Sequence, residues 1–285
     1  MATWLWQKSV SREHESLWQE RLAALPGLVF SEGFNASRLS ISVYTDNLEE
    51  ALVLEACYGG KSELLEETDW VADSAPRHLP PLRIRNRLVI TSSEDPDELA
   101  RLREQYPGRI VLSFPPEMAF GTGNHATTSS CLRLLCDYAR AHKQKPWTLT
   151  DIGCGTGVLA LAGLRLGARS AISFDFDAKA VEVATRNIAR NGGGEQLRLF
   201  QADVFEWAPA PGEEADLVLA NLFSGVLQKA FPRLTAAMKP DGVLIISGIL
   251  NSQAEETLRA AENAGLCVDK VVRRGKWTTA QLHRS

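Results

Sequence analysis

Residues 148–157, TLTDIGCGTG, constrain the fold more than any other stretch of the chain. Thr and apolar residues alternate up to Asp151 and Ile152, the period of a strand. The chain then turns through glycines at 153, 155 and 157 into an apolar run, 158–166, that reads as a helix. Glycine permits positive φ and lets a ligand lie where a Cβ would stand, while the first N–H groups of the helix point back at the same place. Strand, loop and helix come in the order a nucleotide-cofactor site requires.

Position 158 narrows the cofactor. A dinucleotide fingerprint needs glycine there for close packing of helix on strand, and the chain has Val158, which argues against nicotinamide or flavin. The pattern D-x-G-x-G-x-G, followed by an acid at the end of the next strand, resembles motif I of class I methyltransferases, which hold S-adenosylmethionine. That acid is Asp175, closing the run 170–174, and its carboxylate suits the ribose hydroxyls of the cofactor. Asp177 fits better as the residue that starts the following helix.

From residue 148 onward strands and helices alternate. Strands are predicted at 148–152, 170–175, 197–202, 216–221, 243–249, 267–272 and 277–282, with helices at 158–166, 178–191, 225–238 and 253–264. This alternation gives a mostly parallel, Rossmann-like α/β sheet of seven strands covered on both faces. Arg274-Gly275 is too short for a crossover helix, so the last strand must be antiparallel, the mark of a class I methyltransferase sheet.

Ahead of it, strands at 4–8, 28–34 and 39–44 and helices at 15–25 and 47–57, the latter with Asp46 and Glu49 as a capping box, predict a small α+β domain over 1–65 for substrate recognition. Residues 66–110 read as a linker. It carries one alternating strand, 82–90, with arginines along one face, then a linker-like stretch at 92–96 and a short helix at 97–106; the methyltransferase domain spans 111–285. The arginine face is either solvated or a basic patch for an acidic or phosphate-bearing partner. A loop rich in Gly, Thr and His, 114–128, precedes a helix at 129–139 that Thr127 or Thr128 could cap.

A formal net charge of −4 gives no general attraction to nucleic acid, so no direct nucleic-acid binding is expected. The five cysteines, at 57, 131, 136, 154 and 267, include no C-x-x-C pair, which points to a reducing, cytoplasmic compartment without disulfides or a zinc site. No apolar run approaches the length of a membrane span, and the N-terminus has no secretory pattern.

AFGTGNHATT, DIGCGTG, Asp175, Ala220-Asn221-Leu222 and the segment 247–255 (SGILNSQAE) together resemble the PrmA-type methyltransferases of ribosomal protein L11, continuously from about Trp70 onward. Asn124 and Ala126 depart from the family's usual loop. The resemblance implies methyl transfer from S-adenosylmethionine to lysine or N-terminal amines of that protein; another protein or a small molecule is the alternative substrate on the same scaffold. It carries cofactor contacts onto Thr128, Gly153, Gly155, Asp175 and Asn221. Asp203 is either the reader of the adenine amino group or an ordinary cap.

A lysine amine attacks only when neutral, and a dry site beside a sulfonium favours that form, so no strong base is obligatory. Asn221 is then the catalytic candidate, aiming the amine through its amide, with Phe223 a candidate aromatic wall. His125 could orient the methionine end or the loop, or act as a base.

Overall fold

A computed structural model describes residues 3–22, 28–32, 38–45, 47–65, 80–115 and 125–285. The Gly-Thr-Gly part of the loop at 120–124, Asp46 and Trp70 lie outside the described residues. The chain divides into two compact units, Met1–Arg77 and His78–Ser285.

In the first unit, β1 (Thr3–Ser11) leads to α1 (Glu15–Leu22), β2 (Leu28–Glu32), β3 (Arg38–Thr45), α2 (Leu48–Tyr58) and β4 (Lys61–Leu65). The strands form an antiparallel sheet in the order β2-β3-β1-β4. Alternation puts Trp6 and Val10 on one face opposite Val43 and Leu39, and this face closes over Leu22 and Leu54 from the helices. Trp6 is fully buried and its indole N–H donates to Gly59 O at 2.9 Å. The observed N-cap of α2 is Asn47, whose side chain accepts from Glu49 N, one residue later than the capping box expected from Asp46. β4 was not expected: Lys-Ser-Glu-Leu-Leu has no alternating pattern and gains its strand conformation by pairing with β1.

The second unit opens with β5 (Leu82–Ile84), β6 (Leu88–Thr91), α3 (Pro96–Gln105) and β7 (Ile110–Ser113), whose strands form a small sheet in the order β5-β6-β7. The single strand expected over 82–90 is therefore a hairpin. Arg85 turns it with φ of 50°, an unusual conformation for a non-glycine residue, and Arg87 N–H donates to Ile84 O. Residues 92–96 are an ordered run of side-chain turns, in which Thr91, Ser93 and Asp95 each accept from the backbone N–H two residues on.

Then come α4 (Ala126–Ala141), β8 (Thr148–Ile152), α5 (Val158–Arg165), β9 (Ser170–Asp175), α6 (Ala178–Arg190), β10 (Leu197–Gln201) and β11 (Ala215–Asn221), followed by α7 (Ser224–Ala236), β12 (Met238–Leu250), α8 (Ala254–Asn263), β13 (Leu266–Arg274) and β14 (Trp277–Arg284). The seven-stranded sheet runs β10-β9-β8-β11-β12-β14-β13. All its pairings are parallel except those of β14, which is antiparallel to both neighbours. The expected fold class is thus the observed one.

The small sheet belongs to this unit's core, since Ile84, Leu88, Leu112 and Phe114 pack in one cluster with α4 and α5. Asn191 clamps it further, exchanging two 2.8 Å hydrogen bonds with the backbone of Ser113. Strand order reverses between β8 and β11, and a crevice opens outside the carboxyl ends of the strands at such a point.

Candidate active site

The end of β8 builds the floor of this crevice. Gly153 and Cys154 N–H both donate to Phe174 O, which folds the glycine loop back across the end of β9. Gly153 has φ of 71°, and a Cβ on it would stand 2.3 Å from Leu222 Cδ2. That glycine therefore answers to a packed leucine from the end of β11 as well as to ligand approach. Asp151 lies beneath the loop, fully buried. Its Oδ2 accepts from Ala160 N at 3.1 Å, in the first turn of α5, while Oδ1 accepts from no described residue. Burial pushes its carboxyl up to about 7; the Ala160 N–H works against that and nearby Asp175 adds to it.

Asp175 ends β9. Its Oδ2 accepts from Gly155 N at 2.8 Å and its Oδ1 from Asp177 N at 3.1 Å, so the carboxylate is aimed by the loop it faces. Each carboxylate oxygen accepts more than one hydrogen bond, which leaves capacity for the hydroxyls of a ribose. Asp177 takes the helix-start role, capping α6 through Lys179 N. Asp203 has the hydrogen bond of an ordinary cap, its Oδ1 accepting from Phe205 N at 2.8 Å, and it also borders the cavity.

On the other side, Asn221 ends β11. Its Nδ2 donates to Thr128 Oγ1 at a long 3.4 Å, and its buried Oδ1 accepts from no described residue. A buried amide oxygen without a donor is costly, and it suits an incoming N–H. Thr128 is itself almost fully buried behind Asn221, and its neighbour Thr127 reaches the cavity wall. The N-cap of α4 is His125, in place of the expected threonine: its Nδ1 lies 2.7 Å from Thr127 Oγ1 and accepts from Thr127 N. Burial and then Lys276 lower the pKa of His125, so its ring is neutral at pH 7.

The antiparallel course of β14 brings its first residue, Trp277, to this same edge, where its ring meets that of His125 edge-on at 5.1 Å. Asn251 fixes the hairpin that delivers it: its Nδ2 donates to Gly275 O at 2.9 Å and its Oδ1 accepts from Thr278 Oγ1 at 2.7 Å. Between these strands the register shifts at Ser247-Gly248, an irregularity of the kind that re-aims chain next to sites. Gly248 has φ of 86°, and a Cβ there would stand 2.3 Å from Leu222 O.

These edges enclose a cavity of about 650 Å³, bordered by Gly153, Gly155, Asp175, Asp203 and Asn221 but not by Thr128. Sequence reasoning missed Trp277, Phe176 and Phe205. A readable signal existed for the two phenylalanines, since each follows a strand-end carboxylate within two residues, as Phe223 follows Asn221. Phe176 is 72% exposed, Phe223 76% and Phe205 41%, and all three border the same cavity, an apolar grouping of the kind that marks a ligand-binding groove. The residues present thus fit S-adenosylmethionine: a carboxylate for the ribose, aromatic faces for the adenine, and a tight loop between. Among the described residues no cluster of His, Cys, Asp or Glu could hold a metal, and no helix is long and apolar enough to cross a membrane.

The profile of the family described as "Ribosomal protein L11 methyltransferase (PrmA)" matches residues 10–285. A ribosomal protein L11 methyltransferase of Pelotomaculum thermopropionicum is 35% identical over 269 residues, covering 92% of this chain and 80% of its own. One from Escherichia coli is 36% identical over 233 residues, covering 81% of this chain and 73% of its own. The crystal structure of a ribosomal protein L11 methylase from Lactobacillus delbrueckii subsp. bulgaricus superposes with a TM-score of 0.60 at 26% identity, covering 72% of this chain and 98% of that one.

Proposed function

This chain belongs to the ribosomal protein L11 methyltransferase (PrmA) family, and from that premise we propose that it transfers methyl groups from S-adenosylmethionine to amino groups of ribosomal protein L11. S-adenosylmethionine, when bound, supplies an electrophilic methyl group on a sulfonium. Asp175 would hold the ribose, the loop 153–157 the middle of the cofactor, and Asp203 with Phe176 and Phe205 the adenine.

The observation that carries the chemistry is Asn221 Oδ1 on the far side of the same cavity, buried and without a hydrogen-bond donor among the described residues. An amide oxygen there accepts one N–H of a neutral amine, which turns the nitrogen lone pair away from Asn221 and into the cavity. Thr128 steadies the amide from behind. His125, neutral and tied to Thr127, fixes the start of α4 and presents Trp277 as the wall against which an alkyl chain carrying the amine would lie. Positioning of this kind supplies most of the rate in an in-line displacement. The first unit is the proposed recognition domain for the protein substrate.

The test is incubation of the purified protein with S-adenosylmethionine and ribosomal protein L11, read by intact mass and peptide mapping. Stepwise methyl increments on amines are expected. Demethylated cofactor forming with a small amine acceptor while L11 stays unmodified would overturn the substrate assignment and leave the chemistry.

A further inference from the structure

One leucine fills the empty side of two glycines that belong to different strands. A Cβ on Gly153, just beyond β8, would have as its nearest described neighbours Leu222 Cδ2 at 2.3 Å, Cγ at 3.4 Å and Cδ1 at 3.9 Å. A Cβ on Gly248, where the register of β12 shifts, would meet Leu222 O at 2.3 Å, C at 2.8 Å and N at 3.3 Å. The side chain of Leu222 thus packs on the glycine loop and its peptide on β12. Since β8, β11 and β12 are neighbours in the sheet, Leu222, which directly follows β11, is wedged between the ends of the strands on either side.

The two halves of this wedge are not equally free. Leu222 N donates to Ser247 O at 3.1 Å, so its peptide is tied to β12 by a hydrogen bond as well as by close packing on Gly248. Its side chain meets Gly153 through carbon atoms alone. A change in the bulk of that side chain is therefore taken up on the loop side. Gly153, Leu222 and Asn221 all border the cavity, and Asn221 is joined to Leu222 by a peptide bond.

We propose that Leu222 is a positioning residue, whose side chain is the spacer that sets the separation between the cofactor loop at Gly153 and the acceptor amide of Asn221. The proposal rests on the methyl-transfer reading given above, in which the donor lies over the loop and the amine meets Asn221. An in-line displacement tolerates little error in that separation, so the bulk at 222 is matched to the bare Cα at 153. A methyl gained at 153 and a methylene lost at 222 should then offset each other, as volume-conserving swaps do.

The test is a double-mutant cycle of Gly153→Ala and Leu222→Val. Cofactor affinity is read by calorimetry, stability by denaturant midpoints, and single-turnover methyl transfer to L11 at saturating cofactor. Gly153→Ala should slow transfer about a hundredfold and Leu222→Val about tenfold, with the half-saturating L11 concentration changed less than about twofold. The double variant should come back to within about fivefold of wild type. The left-handed strain of alanine at 153 is present in both variants that carry it, so it cancels from the coupling. Should Gly153→Ala fail to fold, Leu222→Val and the volume-conserving Leu222→Met carry the test, the first slowing transfer and the second keeping the wild-type rate. Additive losses in the rate cycle, or a wild-type rate in Leu222→Val despite a lowered midpoint, would overturn the proposal and leave Leu222 a packing residue. Failure of the wild-type protein to methylate L11 would overturn the substrate reading instead. The wedge is then decided by the midpoints, where additive losses overturn it and a smaller loss from Gly153→Ala in the Leu222→Val background upholds it.

Discussion

Gly248 and Gly212 allow a controlled test of how the cavity's amide is held in place. Both have φ of 86°, but a Cβ at Gly212 meets nothing within 4 Å, whereas at Gly248 it meets Leu222 O at 2.3 Å and Leu222 C at 2.8 Å. Alanine at either site carries the left-handed strain of about 1–2 kcal/mol. At Gly248 it must also displace backbone by more than half an ångström to reach the roughly 3 Å limit of real contacts, and overpacking of that sort costs about 1–3 kcal/mol more. The backbone that would move is that of Leu222, next to Asn221, and a shift of about 1 Å at a positioning group can cost on the order of a hundredfold in rate.

Gly248→Ala should therefore unfold at lower denaturant than Gly212→Ala and transfer methyl about a hundredfold more slowly in single turnover at saturating cofactor. Gly212→Ala should keep the wild-type rate. Equal stability of the two variants, with a wild-type rate in Gly248→Ala, would refute the reasoning, because the overlap would then relax without moving Asn221.

Asp175→Ala should weaken S-adenosylmethionine binding about ten- to a hundredfold by calorimetry, the loss of charge-assisted hydrogen bonds worth roughly 1.5–3 kcal/mol, and NAD should bind neither protein. Asn221→Ala and Asn221→Asp should fold and slow single-turnover transfer on the order of a hundredfold; wild-type rates in both would limit Asn221 to holding the cofactor. Asp151, raised from 3.8 to about 7 by burial, binds a proton in the folded state that the unfolded chain has released between those values, so stability should fall as pH rises through that window and level off above it. Denaturant midpoints at pH 5 and pH 8 should differ less in Asp151→Asn than in the wild type, and an equal difference would remove Asp151 as the cause. A truncated chain beginning at His78 should retain cofactor binding and fail to methylate the protein substrate; full activity would place recognition in the second unit.

The sheet was legible because its strands carry their own signals. β8 and β9 are apolar runs closed by Asp151-Ile152 and by Asp175, and their bounds are those expected. Where tertiary pairing decides, the residues are silent. β7 is four residues of Ile-Val-Leu-Ser that became a strand because β6 lies alongside, and the hairpin turn at 85–87 has no glycine, with Asn86 between two arginines as its one turn-favouring residue. The arginines of that stretch accordingly do not share a strand face; Arg85 and Arg87 project from the turn. In the site, Asp175 and Asn221 were found because each ends a strand at the right edge. Trp277 was hidden by distance along the chain, since only the antiparallel insertion of β14 brings it across to His125.

That insertion also orders events during synthesis. β12 and β13 both leave the ribosome before the strand that separates them, so the nascent sheet has an open slot in its interior. Until β14 enters, β12 and β13 each present an unpaired edge, and pairing them directly would be an off-pathway mistake. The same late strand brings Trp277 to the cavity and seats Lys276 beside it. Completion of the sheet and completion of the acceptor wall are thus one folding step, and a nascent chain stalled before residue 277 is expected to have neither.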